Sequence, residues 1–276
     1  MAKLFGFVQF DFAGTLPLAD GRYLVGMPDS GEETVLVLQR LGGAAFGERR
    51  RRRARPTPAE PEPASVAITR ITLIRAASPL EDQAGAARWL DETCEDEDAV
   101  DVLAAEATKI LNRALHAQAV AAADPYGRQV LPEHAERVLV GYGSGEETAD
   151  GRFTDARQVD VGPRTASRRR LREEQLRPQE RVSAVLRGRE QLDACETLLL
   201  RARADLDAGR TREAALQLRV GLEALRPELK DAVDDPDHQA DLESLREERP
   251  GGRQATTEER LETAERILRR RRVLRT

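Results

Sequence analysis

The sequence contains few of the residues that most often carry chemistry in proteins. It has three histidines and two cysteines, and aromatic residues make up 4% of its 276 residues. No pair among His116, His134 and His238 has the spacing of metal ligands, and neither cysteine is close to any of them. We therefore predict no metal site, no cofactor and no catalytic residue, with a core built mostly from Leu, Val and Ala.

Disulfide frameworks and long apolar runs are also missing. Cys94 and Cys195 lie 101 positions apart, and no apolar run approaches the ~18 residues that a membrane span requires. Asp11 interrupts the short apolar stretch at the N-terminus, and no cleavage site of small residues follows it. The sequence predicts a cytoplasmic protein that has no membrane partner.

The first forty residues show the pattern of an antiparallel meander. Four of the six phenylalanines lie within residues 5–12, and a turn signal follows at Asp20-Gly21. Aromatic residues at odd and even positions indicate that both faces of this strand are covered, or that a bulge exchanges them. We predict another strand at residues 66–74, with its partners in residues 3–40. Two more are predicted at residues 138–140 and 158–161.

Two helices are predicted between these strands. Ser78 can cap a helix whose first position is Pro79, and Glu81 completes a capping box. The apolar residues between 98 and 123 have helical spacing and predict a second helix. We expect the two helices, within residues 79–123, to cover a small antiparallel sheet, which makes residues 1–162 an α+β domain.

Residues 46–64 interrupt this domain. The segment contains six arginines, four prolines and a single aromatic residue, Phe46. A segment that cannot bury apolar surface cannot offset the entropy lost when it becomes ordered. We predict a disordered Arg/Pro-rich insertion here.

Beyond residue 162 the pattern is helical, and we predict a separate helical domain over residues 163–276. One apolar stripe recurs every seven residues and indicates an extended helix: Val185, Leu192, Leu199 and Leu206. A second stripe follows the Gly-containing turn at 208–211: Ala215, Leu218, Leu222 and Leu225. So short a turn makes the two helices an antiparallel hairpin. A capping box at Thr256 and Glu259 predicts the start of a last helix.

The hairpin from Glu196 to Leu225 has an Ala-Gly-Arg turn and several small residues. It resembles one unit of the tetratricopeptide class of helical hairpins. The resemblance covers about a tenth of the chain, and the aromatic and terminal-proline positions of that motif are absent. What it implies is a packed helical hairpin.

Two segments have the composition of ion-binding motifs. Residues 141–147 are rich in glycine and follow a predicted strand, but Glu146 and Glu147 would repel a phosphate. We interpret this segment as a flexible loop or hairpin. Residues 91–101 contain seven acidic residues without the pattern of a calcium-binding loop, and we interpret them as a solvated helix start.

The apolar stripe is the strongest candidate for a functional surface. We expect Val185, Leu192, Leu199 and Leu206 to bind a protein partner or a second copy of the chain, as in a non-enzymatic interaction or scaffold protein. The alternative is a nucleic-acid-binding protein that uses arginine clusters at residues 49–53, 168–172 and 269–275. An enzyme with a pocket between the sheet and the helices is the third hypothesis.

Overall fold

The computed structural model describes residues 3–26, 33–42, 66–162, 179, 181–228, 240–241, 245 and 256–274. The chain divides into two compact units, Met1–Arg164 and Thr165–Thr276. The insertion predicted at residues 46–64 lies outside the described residues. Within the described ranges, none of the helices combines the length and the apolar character that crossing a bilayer requires.

The first unit is built on an antiparallel sheet. Its six described strands are β1 (Leu4–Ala13), β2 (Gly21–Gly26), β3 (Glu33–Leu41), β4 (Ile68–Leu80), β5 (Ala135–Ser144) and β6 (Asp155–Val159). Their order across the sheet is β2-β3-β4-β1-β5-β6, and every neighbouring pair is antiparallel. The strand predicted at residues 66–74 is β4, and its pairing with β1 and β3 confirms the partners expected for it.

Helices α1 (Gln83–Glu95) and α2 (Glu97–Ala121) cover one face of this sheet. Phe10 and Phe12 of β1 pack in one core cluster with Ala104, Leu111 and other buried residues of α2. The opposite face contains Phe7, which packs with Ala149 of the short helix α3 (Gly145–Ala149). Both faces of β1 are therefore covered, and the predicted α+β fold is confirmed.

The predicted start of the first helix is wrong. β4 continues to Leu80, and Asp82 caps α1 by accepting a hydrogen bond at 2.7 Å from the Gly85 N–H. Pairing with β1 keeps residues 78–80 extended despite their helix-start pattern. The β3 pairing of β4 ends at Ile74, so the missing N–H of Pro79 interrupts no ladder on that side.

The second unit is helical. It contains α4 (Ala194–Asp207), α5 (Thr211–Glu228) and α6 (Thr257–Leu274), and residues 181–186 are also helical. The predicted hairpin of α4 and α5 is confirmed, with Gly209 at a φ of +74° in its turn. The predicted capping box is also confirmed, because Thr256 and Glu259 exchange backbone-to-side-chain hydrogen bonds at 2.8 and 3.2 Å.

Candidate functional site

The predicted apolar stripe is divided between two pieces of helix. Val185 lies in helical residues 181–186, Leu199 and Leu206 lie on α4, and Leu192 lies between them in a non-helical stretch. The prediction of one extended helix through all four residues is therefore wrong. Leu192 is 62% exposed and Leu199 is 1% exposed, so two members of the same heptad register have opposite environments.

The helix ends before Leu192 because of a cap at Gly188. The φ of Gly188 is +69°, a left-handed conformation that glycine adopts without strain. The N–H of Gly188 donates to the carbonyl of Val185, and the N–H of Arg189 donates to that of Ala184, as in a Schellman cap. Heptad spacing does not reveal this cap, since a single glycine leaves the positions of the apolar residues unchanged.

Leu199 and Leu206 face the interior of the helical unit. Leu199 belongs to a buried cluster with residues of α5 and α6: Leu218, Leu222, Leu225, Leu261 and Ile267. Leu206 is partly buried against the same cluster. The α4 part of the stripe is thus occupied within the chain, and partner binding by the four predicted residues stays a prediction.

The outer side of the hairpin carries exposed apolar side chains that the sequence analysis did not single out. Leu216 and Val220 of α5 are 49% and 44% exposed. They lie four residues apart, which places them on one face of the helix. We call these two residues the outer pair. Their spacing was a signal in the sequence, but the stripe of Leu218 and Leu222 on the same helix is longer and obscured it.

An ion pair joins α6 to the hairpin. Arg203 of α4 donates from Nε and Nη2 to the two carboxylate oxygens of Glu265 on α6, at 2.8 and 3.0 Å. The hydrogen bond with Glu265 raises the pKa of Arg203. Bidentate pairs of this kind constrain orientation as well as distance. The pair therefore orients α6 against α4, and so helps to hold the hairpin that presents the outer pair.

A cluster of charged groups lies on the sheet face opposite α1 and α2. Asp11 of β1 lies between Arg70 of β4 and Arg137 of β5, and accepts four hydrogen bonds of 2.7–3.1 Å from their guanidinium groups. Burial acts to raise the pKa of Asp11, but the hydrogen bonds and charges of the two arginines outweigh it and lower that pKa. The cluster joins three central strands and contains two cations for one anion.

Sequence reasoning missed this cluster. Asp11 and Gln9 alternate with phenylalanines along β1, which was a signal for a polar row on one face. Gln9 is buried, and its Oε1 accepts a hydrogen bond at 3.2 Å from the Thr72 hydroxyl. The partners of Asp11 are 59 and 126 positions away in sequence, so only the strand register identifies them.

The glycine-rich stretch at residues 141–147 spans the end of β5 and the start of α3. Gly141 and Gly143 lie within β5, and the following residues form α3. A Cβ at Gly141 would lie 2.5 Å from the carbonyl oxygen of Asp155 and 2.7 Å from Cζ of Phe7. Glycine at this position allows these neighbouring groups to approach the strand, so the stretch is not a flexible loop. The other alternative, a hairpin, agrees with the antiparallel pairing of β5 with β6.

The acidic run contains a helix start, as interpreted from sequence. Asp96 accepts hydrogen bonds from the backbone N–H groups of Asp98 and Ala99 at the start of α2. His116 and His134 are exposed. Among the residues that the structure describes, no group of three His, Cys, Asp or Glu side chains is arranged to hold a metal ion.

The arginine clusters proposed for nucleic-acid binding are only partly visible. Residues 49–53 and 168–172 lie outside the described ranges. Residues 269–274 form the end of α6, where Arg269 is exposed. Nucleic-acid binding stays the alternative hypothesis.

Comparison with known proteins identifies no relative: no family model matches the chain, and neither a curated protein nor a solved structure matches it.

Proposed function

We propose that this protein is a non-enzymatic interaction or scaffold protein that associates through its helical C-terminal half, with a second copy of itself or with a protein partner. The observation that supports this most is the outer pair, Leu216 and Val220. Both side chains remain exposed although Leu218 and Leu222 of the same helix are already buried in the unit. A partner that covers the outer pair removes this apolar surface from water.

Charged residues border the outer pair. Arg212 lies four residues before Leu216, Glu223 lies three residues after Val220, and both are exposed. An apolar centre with a polar rim is the usual anatomy of a protein interface. In such an interface the centre supplies affinity, and the rim contributes to register and specificity.

The spacing of these residues favours a second copy as the partner. In an antiparallel pairing of two α5 helices, Leu216 of one copy lies opposite Val220 of the other. In the same register, Arg212 of one copy lies within one residue of the level of Glu223 of the other. Two intermolecular ion pairs then flank two apolar contacts.

We include the cellular compartment in this proposal. Two cysteines 101 positions apart fit no disulfide framework, and a reducing compartment is the default for such a chain. We therefore place the protein in the cytoplasm.

Self-association can be tested with one substitution and a matched control in the full chain. Leu216→Glu puts a charge in the apolar centre, while Ala215→Glu adds the same charge at the neighbouring position on α5. Ala215 was predicted to be part of the second stripe, but it is exposed, and Ala214 is buried instead. Light scattering at tens of micromolar measures the molar mass. We expect an oligomeric wild type, a monomeric Leu216→Glu variant and an unchanged Ala215→Glu variant, with similar thermal midpoints.

A charge exchange tests the antiparallel geometry. Arg212→Glu should weaken self-association, and Arg212→Glu/Glu223→Arg should restore it, because the reversed pair is again complementary. A wild-type chain that is monomeric at tens of micromolar would show that self-association is wrong. If Ala215→Glu and Leu216→Glu both remain oligomeric, the interface does not include the outer pair.

A further inference from the structure

Only two of the four residues with heptad spacing contribute to the core of the helical unit. Leu199 and Leu206 of α4 contribute to the core of the helical unit, whereas Leu192 is exposed in the non-helical stretch before α4. A seven-residue spacing places side chains in one line only when the helix through them is continuous. Val185 and Leu192 therefore continue the heptad spacing of α4, but neither residue lies on α4.

The composition of the break does not itself oppose a helix. Residues 187–193 read Arg-Gly-Arg-Glu-Gln-Leu-Asp, and five of these seven are residues with good helix propensity. Gly188 and Asp193 are the exceptions: Gly188 forms the left-handed cap described above, and Asp193 is the residue before α4. The break therefore depends on one glycine cap and on contacts made across it.

The contact across the break is made by Arg181. Its Nε donates to Glu190 at 2.8 Å, and its Nη1 and Nη2 donate to the two carboxylate oxygens of Glu196 at 2.9 and 2.5 Å. Glu196 lies in the first turn of α4 and is buried. We call these three residues the Arg181 clasp. The clasp holds the segment before the break against the start of α4.

The clasp is incompatible with a continuous helix. Arg181 and Glu196 are 15 residues apart, which corresponds to about 22 Å along a helix axis at 1.5 Å per residue. No arginine–glutamate pair spans that distance. The same residues can therefore form the clasp or one long helix, but not both.

We propose that residues 181–207 are a two-state conformational switch between the broken form, held by the Arg181 clasp and the Gly188 cap, and one continuous helix. In the continuous helix, Val185 and Leu192 extend the line of Leu199 and Leu206 by two heptad positions. The switch thereby controls whether Val185 and Leu192 continue the stripe beyond its buried part on α4. It goes beyond the proposed function and does not depend on the outer pair.

The test measures a distance across the break in the full chain. Nitroxide labels are placed at Val182→Cys and Arg201→Cys, two exposed positions 19 residues apart, in a background with Cys94→Ser and Cys195→Ala. A continuous helix separates the labelled backbone positions by about 28 Å, and the clasped form holds them closer. Pulsed electron paramagnetic resonance gives the populations, and far-ultraviolet circular dichroism gives the helix content.

Two pairs of variants distinguish the switch from a rigid break. Gly188→Ala disfavours the left-handed cap, while the control Gly188→Asn tolerates that conformation. A Cβ at this position meets nothing within 4 Å, so the effect is conformational rather than steric. Arg181→Gln removes the clasp charge, and Arg189→Gln is its exposed control.

We expect Gly188→Ala and Arg181→Gln each to add a population near about 28 Å with increased helix content, and both controls to keep the wild-type distance. A single short distance in the double variant Arg181→Gln/Gly188→Ala would overturn the switch. A broad distribution with decreased helix content would also overturn it, because the segment would then melt rather than extend. A wild type found only at the long distance would overturn the clasped state itself.

Discussion

Asp11 and Arg70 are joined by two parallel hydrogen bonds across neighbouring strands of the sheet. Nε of Arg70 donates to Oδ1 of Asp11 at 2.8 Å, and Nη2 donates to Oδ2 at 3.0 Å. The Asp11 side chain is 8% exposed, so water competes little for these bonds. Arg137 donates to Oδ2 from the other side. Without the carboxylate charge, two guanidinium groups would face each other on the sheet.

Replacing Asp11 should therefore be costly. We expect Asp11→Asn to lower the free energy of unfolding by about 2–3 kcal/mol, because charge-assisted hydrogen bonds are lost and two cations are left uncompensated. Urea unfolding at neutral pH measures this. Asp150→Asn is the control: Asp150 pairs with Arg22, and both side chains are about half exposed. The control should cost no more than about 1 kcal/mol, and equal losses would contradict the prediction.

Because of the same carboxylate, the free energy of unfolding should decrease as the pH falls. The pKa of Asp11 is lower in the folded protein than its ordinary value of 3.8. As pH falls, the unfolded chain takes up this proton first, so protonation favours unfolding. The Asp11 contribution is complete above the unfolded pKa and is lost as pH falls from about 4 toward the lower folded pKa. Urea unfolding measures the difference in free energy of unfolding between the wild type and Asp11→Asn, and this difference should decrease as pH falls below about 4. A difference that stays constant from neutral pH to pH 3 would be inconsistent with the ion pair.

The cap of α2 predicts a stabilising substitution. Ala123 has a φ of +51°, and the N–H of Asp124 donates to the carbonyl of Ala119 in a Schellman cap. Gly188 and Gly209 occupy the equivalent position in two other caps. Ala123→Gly should raise the free energy of unfolding by about 1 kcal/mol, because the left-handed conformation strains alanine. Thermal and urea unfolding check the sign, and Gly151→Ala, at a φ of +81°, should change stability in the opposite direction.

Close packing at β5 predicts that alanine is not tolerated at Gly141. The carbonyl oxygen of Asp155 and the ring of Phe7 lie within 3 Å of the position that a Cβ would occupy. Gly141→Ala should destabilise the sheet by about 1–3 kcal/mol, because the neighbouring strand and ring must move. Gly26→Ala serves as the control, since nothing lies within 4 Å of its added Cβ. Equal stability of the two variants would show that β5 is not packed as described.

Because Leu192 and Leu199 have different environments, substitutions at these two positions should have unequal effects on stability. Leu199→Ala should cost about 2–5 kcal/mol, because it leaves a cavity in the core of the helical unit. Leu192→Ala should change stability by no more than about 0.5 kcal/mol, since that side chain is exposed. Urea unfolding followed at 222 nm compares the two. Similar large losses at both positions would mean that Leu192 is buried in the wild type, contrary to the structure.

Elements encoded by neighbouring residues were predictable. The stripe of Leu218 and Leu222, the turn at Gly209 and the Thr256–Glu259 capping box depend on contacts within a few residues, and each is present where its pattern indicated. Turn chemistry and helical periodicity operate over one or two turns of chain. This short range explains why the hairpin could be inferred without knowledge of the rest of the fold.

Local signals failed where distant contacts outweighed them. Ser78 and Pro79 resemble a helix start, but pairing with β1 keeps them in a strand. The heptad from Val185 to Leu206 resembles one helix, but the Arg181 clasp joins residues 15 positions apart across a glycine cap. In both places the local preference is worth at most a few kcal/mol, and tertiary contacts of similar size decide the outcome.

Composition and periodicity were enough to predict an α+β fold followed by a helical hairpin, because burial of apolar residues at periods of 2 and 3.6 operates within each element. The tertiary structure alone brought Asp11, Arg70 and Arg137 together and separated the environments of Leu192 and Leu199. Strand order and helix packing determine which distant residues meet. Nothing in the identity of Asp11 indicates which two arginines, 59 and 126 positions away, will be its partners.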